Sequence, residues 1–160
     1  MKRKSFLVPI ITEWALFTPT GGWATNSTWT GYWRRVGDTL QVRNKVTLSG
    51  APDAVTLSVN VPFGLRADTS GKIYLAVGDT GPYVGTGVAR DDSANSSIQA
   101  NCLLNSAVQI VVTYSDDSAA GLEISIAMTN TAPFTFATGD AVDVYYEIPI
   151  VGWKTNRRIY

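Results

Sequence analysis

The amino-acid sequence predicts an all-β protein, and three observations predict it. Apolar residues recur with a period of two; Gly, Pro, Asp and Asn punctuate the chain at short intervals; and no segment carries a long apolar stripe at helical spacing. With 160 residues the chain can bury one continuous core without disulfides or metals. Hydrophobic residues make up 45% and charged residues only 16%, so the surface must be built from Thr, Ser, Asn and Gly.

The elements follow in order. Lys2, Arg3 and Lys4 open the chain, and a short apolar run from Phe6 to Ile11 follows. Pro9 interrupts that run and Glu13 ends it, so it reads as neither a secretory leader nor a membrane span. Residues 1–12 are expected to form an N-terminal arm, residues 13–153 one soluble domain, and residues 154–160 a basic tail with Lys154, Arg157 and Arg158. Thr28 to Val36 reads TWTGYWRRV, rich in β-formers, and Gly37-Asp38 supplies a hairpin turn. Thr39 to Ser49 is the clearest strand: Leu40, Val42, Val46 and Leu48 alternate with Gln41, Arg43, Lys45 and Thr47, and Asn44 shares the apolar face. A polar residue there is expected to be hydrogen-bonded inside, to mark a barrel end, or to meet a second subunit.

After a loop at residues 49–53, Val55, Leu57 and Val59 alternate with polar residues until Pro62 and Gly64 end the strand. Lys72 to Val77, Val84 to Arg90, Ser97 to Leu103 and Ala107 to Tyr114 are the next candidates, followed by a turn at Asp116-Asp117-Ser118 and Gly121. Leu122 to Met128, a short piece from Phe134 to Ala137, a Thr138-Gly139-Asp140 turn and a last strand from Val142 to Ile150 complete the series. In that last strand Val142, Val144, Tyr146, Ile148 and Ile150 face one way, and Asp143, Tyr145, Glu147 and Pro149 the other. About ten short strands spaced roughly 8 to 15 residues apart predict a jelly-roll β-sandwich.

Composition excludes several chemistries. Histidine is absent, which removes Ser-His-Asp and Cys-His catalysis, HExxH zinc sites and a histidine pH switch. The single cysteine, Cys102, allows no intramolecular disulfide and no cysteine zinc cluster, and reads as a small buried hydrophobe. Thirteen bases balance thirteen acids, which argues against a general polyanion binder. Six of those bases lie in the two terminal segments, leaving seven against thirteen acids between them. The ends are then either solvated and frayed or docked on an acidic partner.

Asp91-Asp92 and Asp116-Asp117 are paired carboxylates, but each pair sits in a turn context that explains Asp by backbone capping. Gly78-Asp79-Thr80-Gly81 and Gly85-Thr86-Gly87 match no phosphate loop and read as hairpin or bulge glycines. Arg34 and Arg35, adjacent on a strand, point to opposite faces and form no single anion fork. Five tryptophans, at 14, 23, 29, 33 and 153, with Tyr32, Tyr145 and Tyr146 nearby, divide between core packing and contact surface or sugar stacking in a way the sequence leaves open. No catalytic residue, metal or cofactor is expected.

Two segments go beyond composition: WTGYWRRVGDTLQVRNKVTLSGAP at residues 29–52, preceded by EWALFTPTGGW at 13–23, and FATGDAVDVYYEIPIVGW at 136–153. Together they resemble a recurrent jelly-roll module of tailed-phage virion proteins, found in tail-fibre, receptor-binding and capsid-associated chains. That module is similar in fold to the trimeric tumour-necrosis-factor and complement-C1q group. The resemblance spans about residues 13 to 153 and rests on the WRRVGDTL-like hairpin and the GD-x-V-x-V strand that ends in P-I-x-GW. It implies a homotrimer, with Trp33, Tyr145 and Tyr146 as candidates for the interface or near-axis core. Tail fibres carry the module after an anchoring domain or shaft, whereas here it begins almost at Met1, and a shaftless trimer cannot project far.

The expectation that follows is a non-enzymatic virion protein, a trimeric capsid decoration (cement) protein at the capsid surface. Its partners would be itself and the major capsid protein or another virion protein, with no nucleic acid and no membrane. Lys2, Arg3 and Lys4 would engage acidic capsid surface while Phe6, Leu7 and Val8 fill an apolar groove. The alternative is a receptor-binding or tail-fibre tip protein, located in the tail, that recognises host-surface glycan.

Overall fold

The computed structural model describes residues 6–73, 82–116 and 124–159, and these are β throughout apart from one 3-10 turn at Pro62–Gly64. The organising unit is the hairpin of β3 (Ser27–Val36) and β4 (Thr39–Leu48). Gly37 takes φ +63° in the two-residue turn between them, a conformation that glycine enters without steric cost. Val36 therefore stands opposite Thr39, and the register runs without a break to Ser27 opposite Leu48. β10 (Ala141–Pro149) lies antiparallel on the other side of β4, and β6 (Tyr83–Asp91) lies beyond β10. β7 (Ser96–Ser106) and β8 (Gln109–Asp116) continue the sheet as hairpins. β8 then carries two short partners end to end, β5 (Ser58–Asn60) on its first half and β9 (Ile124–Ala127) on its second.

The other margin of the sheet is β2 (Ala15–Phe17), paired with β3. The chain leaving β2 crosses over and seals the sheet against its far margin. Gly21 bridges Val59, the Gly22 amide donates to the Ser58 carbonyl at 3.0 Å, and the Asn60 amide donates to the Thr20 carbonyl at 2.8 Å. The backbones meet so closely that a Cβ on Gly21 would lie 1.9 Å from the Ser58 oxygen. The sheet thus rolls round one core with few open margins.

That core is filled by the alternate residues of each strand. Leu40, Val42, Val46 and Leu48 of β4 meet Val142, Val144, Tyr146 and Ile148 of β10, with Ala100, Cys102, Leu104, Ile110 and Val112 on the facing wall. Trp23 lies fully buried at one end, edge-on to Phe136 at 4.8 Å, and its indole N–H donates to the Val55 carbonyl. Asn44 is 3% exposed, and its side chain faces the Tyr146 hydroxyl inside the core. Burial pushes the Tyr146 pKa well above the usual tyrosine range, against the opposing pull of Asn44.

Most expected strands appear within a residue or two, and the exceptions have physical reasons. Val55 is exposed because the backbone turns at Asp53, whose carbonyl accepts the Val55 amide, so pairing starts only at Ser58. Phe134 to Ala137 is no strand: Phe134 and Phe136 plug the core side by side, and the Phe136 and Ala137 amides bond to Asn130 and to the Asp140 carboxylate. Ala107 and Val108 form a turn before β8 rather than its start. The candidate strand at residues 72–77 lies mostly outside the described residues, as do residues 117–121 of the Asp116 to Gly121 turn.

The termini form an element that the sequence reading did not contain. β1 (Phe6–Pro9) pairs antiparallel with β11 (Asn156–Ile159) as a separate two-stranded ribbon, Phe6 opposite Ile159 and Val8 opposite Arg157. Arg35 ties this ribbon's base to the barrel. Its guanidinium donates to the Gly37 and Lys154 carbonyls and stacks on Trp153 at 4.5 Å. Residues 6–9 of the arm and 156–159 of the tail are therefore one structure.

Asp53 fastens the loop after Trp23 by accepting from the Ala24 and Thr25 amides and the Thr25 hydroxyl at 2.6–2.8 Å. The Thr25 hydroxyl above all, then the two amides, holds its carboxyl below the ordinary 3.8. A depressed folded-state pKa contributes stability that is present above the unfolded value and lost as pH falls through the folded one. Asp53→Asn is expected to be less stable than the parent near neutrality but to lose less between about pH 5 and pH 2.5, read as urea midpoints at each pH.

Candidate functional site

The outer face of β3, β4, β10 and β6 forms a concave groove of about 920 Å³. Strand register assembles it row by row. One row runs Tyr32, Arg43, Tyr145, Thr86 and the next Thr30, Lys45, Asp143, Val88, each member on a successive strand. A third row, Arg34, Gln41 and Glu147, borders the groove on the side of the hairpin turn. These are the residues left outside when the alternating partners enter the core, so the groove follows from the same period of two that builds the fold.

Its chemistry centres on two guanidinium groups. Arg34 and Arg43 are diagonal neighbours across the β3–β4 hairpin, and each lies 4.7 Å from the ring centroid of Trp14, which precedes β2. Arg43 also lies 5.9 Å from the Tyr145 ring. The Arg34 Nε donates to Gln41, whose amide donates to Glu147 at 2.7 Å, and Tyr145 donates its hydroxyl to the same carboxylate. Burial first, and then the hydrogen bond to Glu147, pushes the Tyr145 pKa up to about 12, against the opposing pull of Arg34 and Arg43. Tyr145 therefore stays a neutral donor across the physiological range. Among the described residues, Arg43 and Lys45 make no hydrogen bond or ion pair, while Arg90 pairs with Asp143 at 3.4 Å.

This charge distribution is uneven for a chain whose middle is acidic. Four of the seven bases between the termini, Arg34, Arg43, Lys45 and Arg90, stand on this one face, with Asp143 and Glu147 as its carboxylates. No protein-family model, curated protein or solved structure matches the chain. The site must accordingly be read from its own geometry.

The residues singled out in the sequence are not brought together. Lys2, Arg3 and Lys4 lie outside the described residues; Phe6, Leu7 and Val8 form β1 against the tail. Tyr146 is enclosed in its own chain, because the even-numbered residues of β10 face the core, and this corrects its candidacy for a contact between subunits. Trp33 is half-buried on the inner row, edge-on to Phe63 at 5.1 Å, whereas Tyr145 is on the outer face. Phe63 itself is exposed and, with Phe17, extends a small aromatic patch at that rim.

Asp91 and Asp92 act locally, while Asp117 of the second pair lies outside the described residues. Asp91 accepts from the Ser93 hydroxyl and the Ala94 amide in a turn, and the Asp92 amide donates to buried Asp140. Among the described residues no group of three or more His, Cys, Asp or Glu converges as a metal site would require. Cys102 is buried in the core, and burial raises its thiol to about 12, far from reactive. The arrangement can bind and position a partner through stacked cations, tyrosines and hydroxyls.

Proposed function

We propose that the chain is a structural protein of a tailed-phage virion, a trimeric jelly-roll decoration protein that clamps the capsid shell. The observation that supports this reading is the terminal ribbon. It places Arg157 and Arg158 opposite the apolar Leu7 and Val8, directly after the Lys2-Arg3-Lys4 run, on a body whose charge is otherwise acidic. A basic, two-stranded element attached at one rim is suited to an acidic partner, where its charge orients the contact and its unpaired edges accept a further strand. A protein that binds only the assembled shell stabilises it by mass action, and three ribbons on one trimer raise one another's effective concentration. Trp33 and Tyr145 remain the candidates for contacts between subunits.

Two measurements test the proposal. Copies per major capsid protein in purified virions, counted by quantitative mass spectrometry, are expected in a ratio near one or in the hundreds per particle; a handful of copies would remove the cement role. Deleting residues 1–9 is expected to abolish attachment to capsids while the circular-dichroism spectrum remains that of a β protein. Retained attachment would exclude the ribbon as the docking element.

A second reading, a receptor-binding protein for host-surface glycan, is favoured by the outer groove. Its tyrosines and hydroxyl-bearing side chains form the mixed stacking and hydrogen-bonding surface that sugars require. Competition of the purified protein with phage adsorption to host cells decides for or against it.

A further inference from the structure

We infer that the outer groove is a binding site for an acidic saccharide, with Arg34 and Arg43 on Trp14 receiving the sugar's carboxylate. This deepens the glycan-binding reading and rests on it, but does not depend on where in a particle the protein sits.

The argument begins with the cations. Most bases between the termini are gathered on one face of an otherwise acidic body, and after the Arg90–Asp143 pair is formed, Arg43 and Lys45 still have no anionic partner among the described residues. Arg43 is held between the Trp14 and Tyr145 rings, which fix the plane of its guanidinium and leave its N–H donors unspent. Arg34 is held by the opposite device: Gln41 takes its Nε and the same indole takes its face, leaving the terminal nitrogens available. Two guanidinium groups oriented beforehand by one ring present charge-assisted donors to an anion such as a carboxylate. Glu147 does not serve as that anion, because its carboxylate is engaged by Gln41 and Tyr145.

The rest of the groove identifies what carries the carboxylate. Beyond the arginines it offers Tyr32, which is 46% exposed, then Lys45 and the hydroxyls of Thr30, Thr86 and Ser97. This is a surface for ring faces and many hydroxyl groups. An acidic peptide is a poorer match: β4, β10 and β6 are each paired on both sides, so no strand edge is open for main-chain pairing. A nucleic acid is a poorer match too, since a polyanion site extends with positive charge and this face keeps two carboxylates among four cations.

The test is a glycan array carrying uronic-acid and sialic-acid oligosaccharides beside their neutral and methyl-esterified counterparts, probed with the full chain and followed by titration calorimetry on the bound spots. Binding is expected to be confined to carboxylated saccharides, to vanish on methyl esterification, and to weaken by about tenfold or more in Arg43→Gln and Arg34→Gln. Thr86→Trp, which fills the groove from an exposed position on β6, is expected to abolish it. Binding of neutral sugars that Thr86→Trp blocks but Arg43→Gln spares would overturn the acidic assignment and leave the glycan reading standing. Absence of any bound saccharide would overturn both. Equal binding of a poly-glutamate peptide or an oligonucleotide would reassign the groove to a general anion surface.

Discussion

Gly85→Ala is expected to abolish folding of the purified protein or to lower its stability by about 4 kcal/mol or more, a loss comparable with the whole stability of many domains. Gly85 is the third residue of β6, after a shift in register at Tyr83, where β6 presses against β10. A Cβ there would lie 1.9 Å from the Tyr145 carbonyl oxygen and 2.6 Å from the Tyr146 Cα. Both are backbone atoms of a central strand, so no side-chain rotation relieves the clash; β6 must detach from β10 or β10 must leave the core. Gly87 faces the same problem at 2.2 Å from the Asp143 oxygen, so a shift of two positions offers no escape. Thr86→Ala, between them on the outer face, is expected to change stability by no more than about 0.5 kcal/mol. Urea midpoints of the two variants decide the matter: an alanine at 85 with parental stability would refute the close approach of the two strands.

Trp23→Ala is expected to lose about 3 to 5 kcal/mol. The indole fills one end of the core with no exposed surface, packs on Phe136 and bonds to the Val55 carbonyl, so truncation leaves both a cavity and an orphaned acceptor. The backbone of the same residue is a second junction, since its carbonyl accepts from the Ser27 hydroxyl and the Trp29 indole. Trp23→Phe should retain a large part of the packing while losing the Val55 bond. If alanine and phenylalanine cost the same, shape at this end of the core matters less than the hydrogen bond, and the packing account fails.

Much of the fold was legible because most strands have one wet face. The alternation in β4 and β10 assigned Leu40, Val42, Val46, Val142, Val144, Tyr146 and Ile148 to one side, and they are the core. The inward placement of Tyr146 follows from that alternation, and only the implied subunit contact drew it elsewhere. The arginine pair was also within reach. The two-residue turn at Gly37-Asp38 sets Val36 opposite Thr39, and counting back puts Tyr32 opposite Arg43 and Arg34 diagonal to it. Attention to the adjacent Arg34 and Arg35 hid a partnership that spans the hairpin. Trp14 was not legible: β2 is three residues long, too short for a periodic pattern to say which face its neighbours meet. Nor was the terminal ribbon, whose four-residue strands lie at opposite ends of the chain and pair through backbone groups that composition does not report.

The position of β10 carries a consequence for how the protein is made. It is the tenth of the eleven strands among the described residues, yet it lies inside the sheet between β4 and β6. Thr47 must wait for Ala141, so this pairing closes a loop of about ninety residues before it returns any stabilisation. On the ribosome the β3–β4 hairpin emerges early, and the free edge of β4 stays unpaired until residues 141–149 have been synthesised. A nascent chain stopped before residue 141 therefore lacks the strand that pairs β4 with β6, and leaves part of the sheet unpaired and exposed to aggregation.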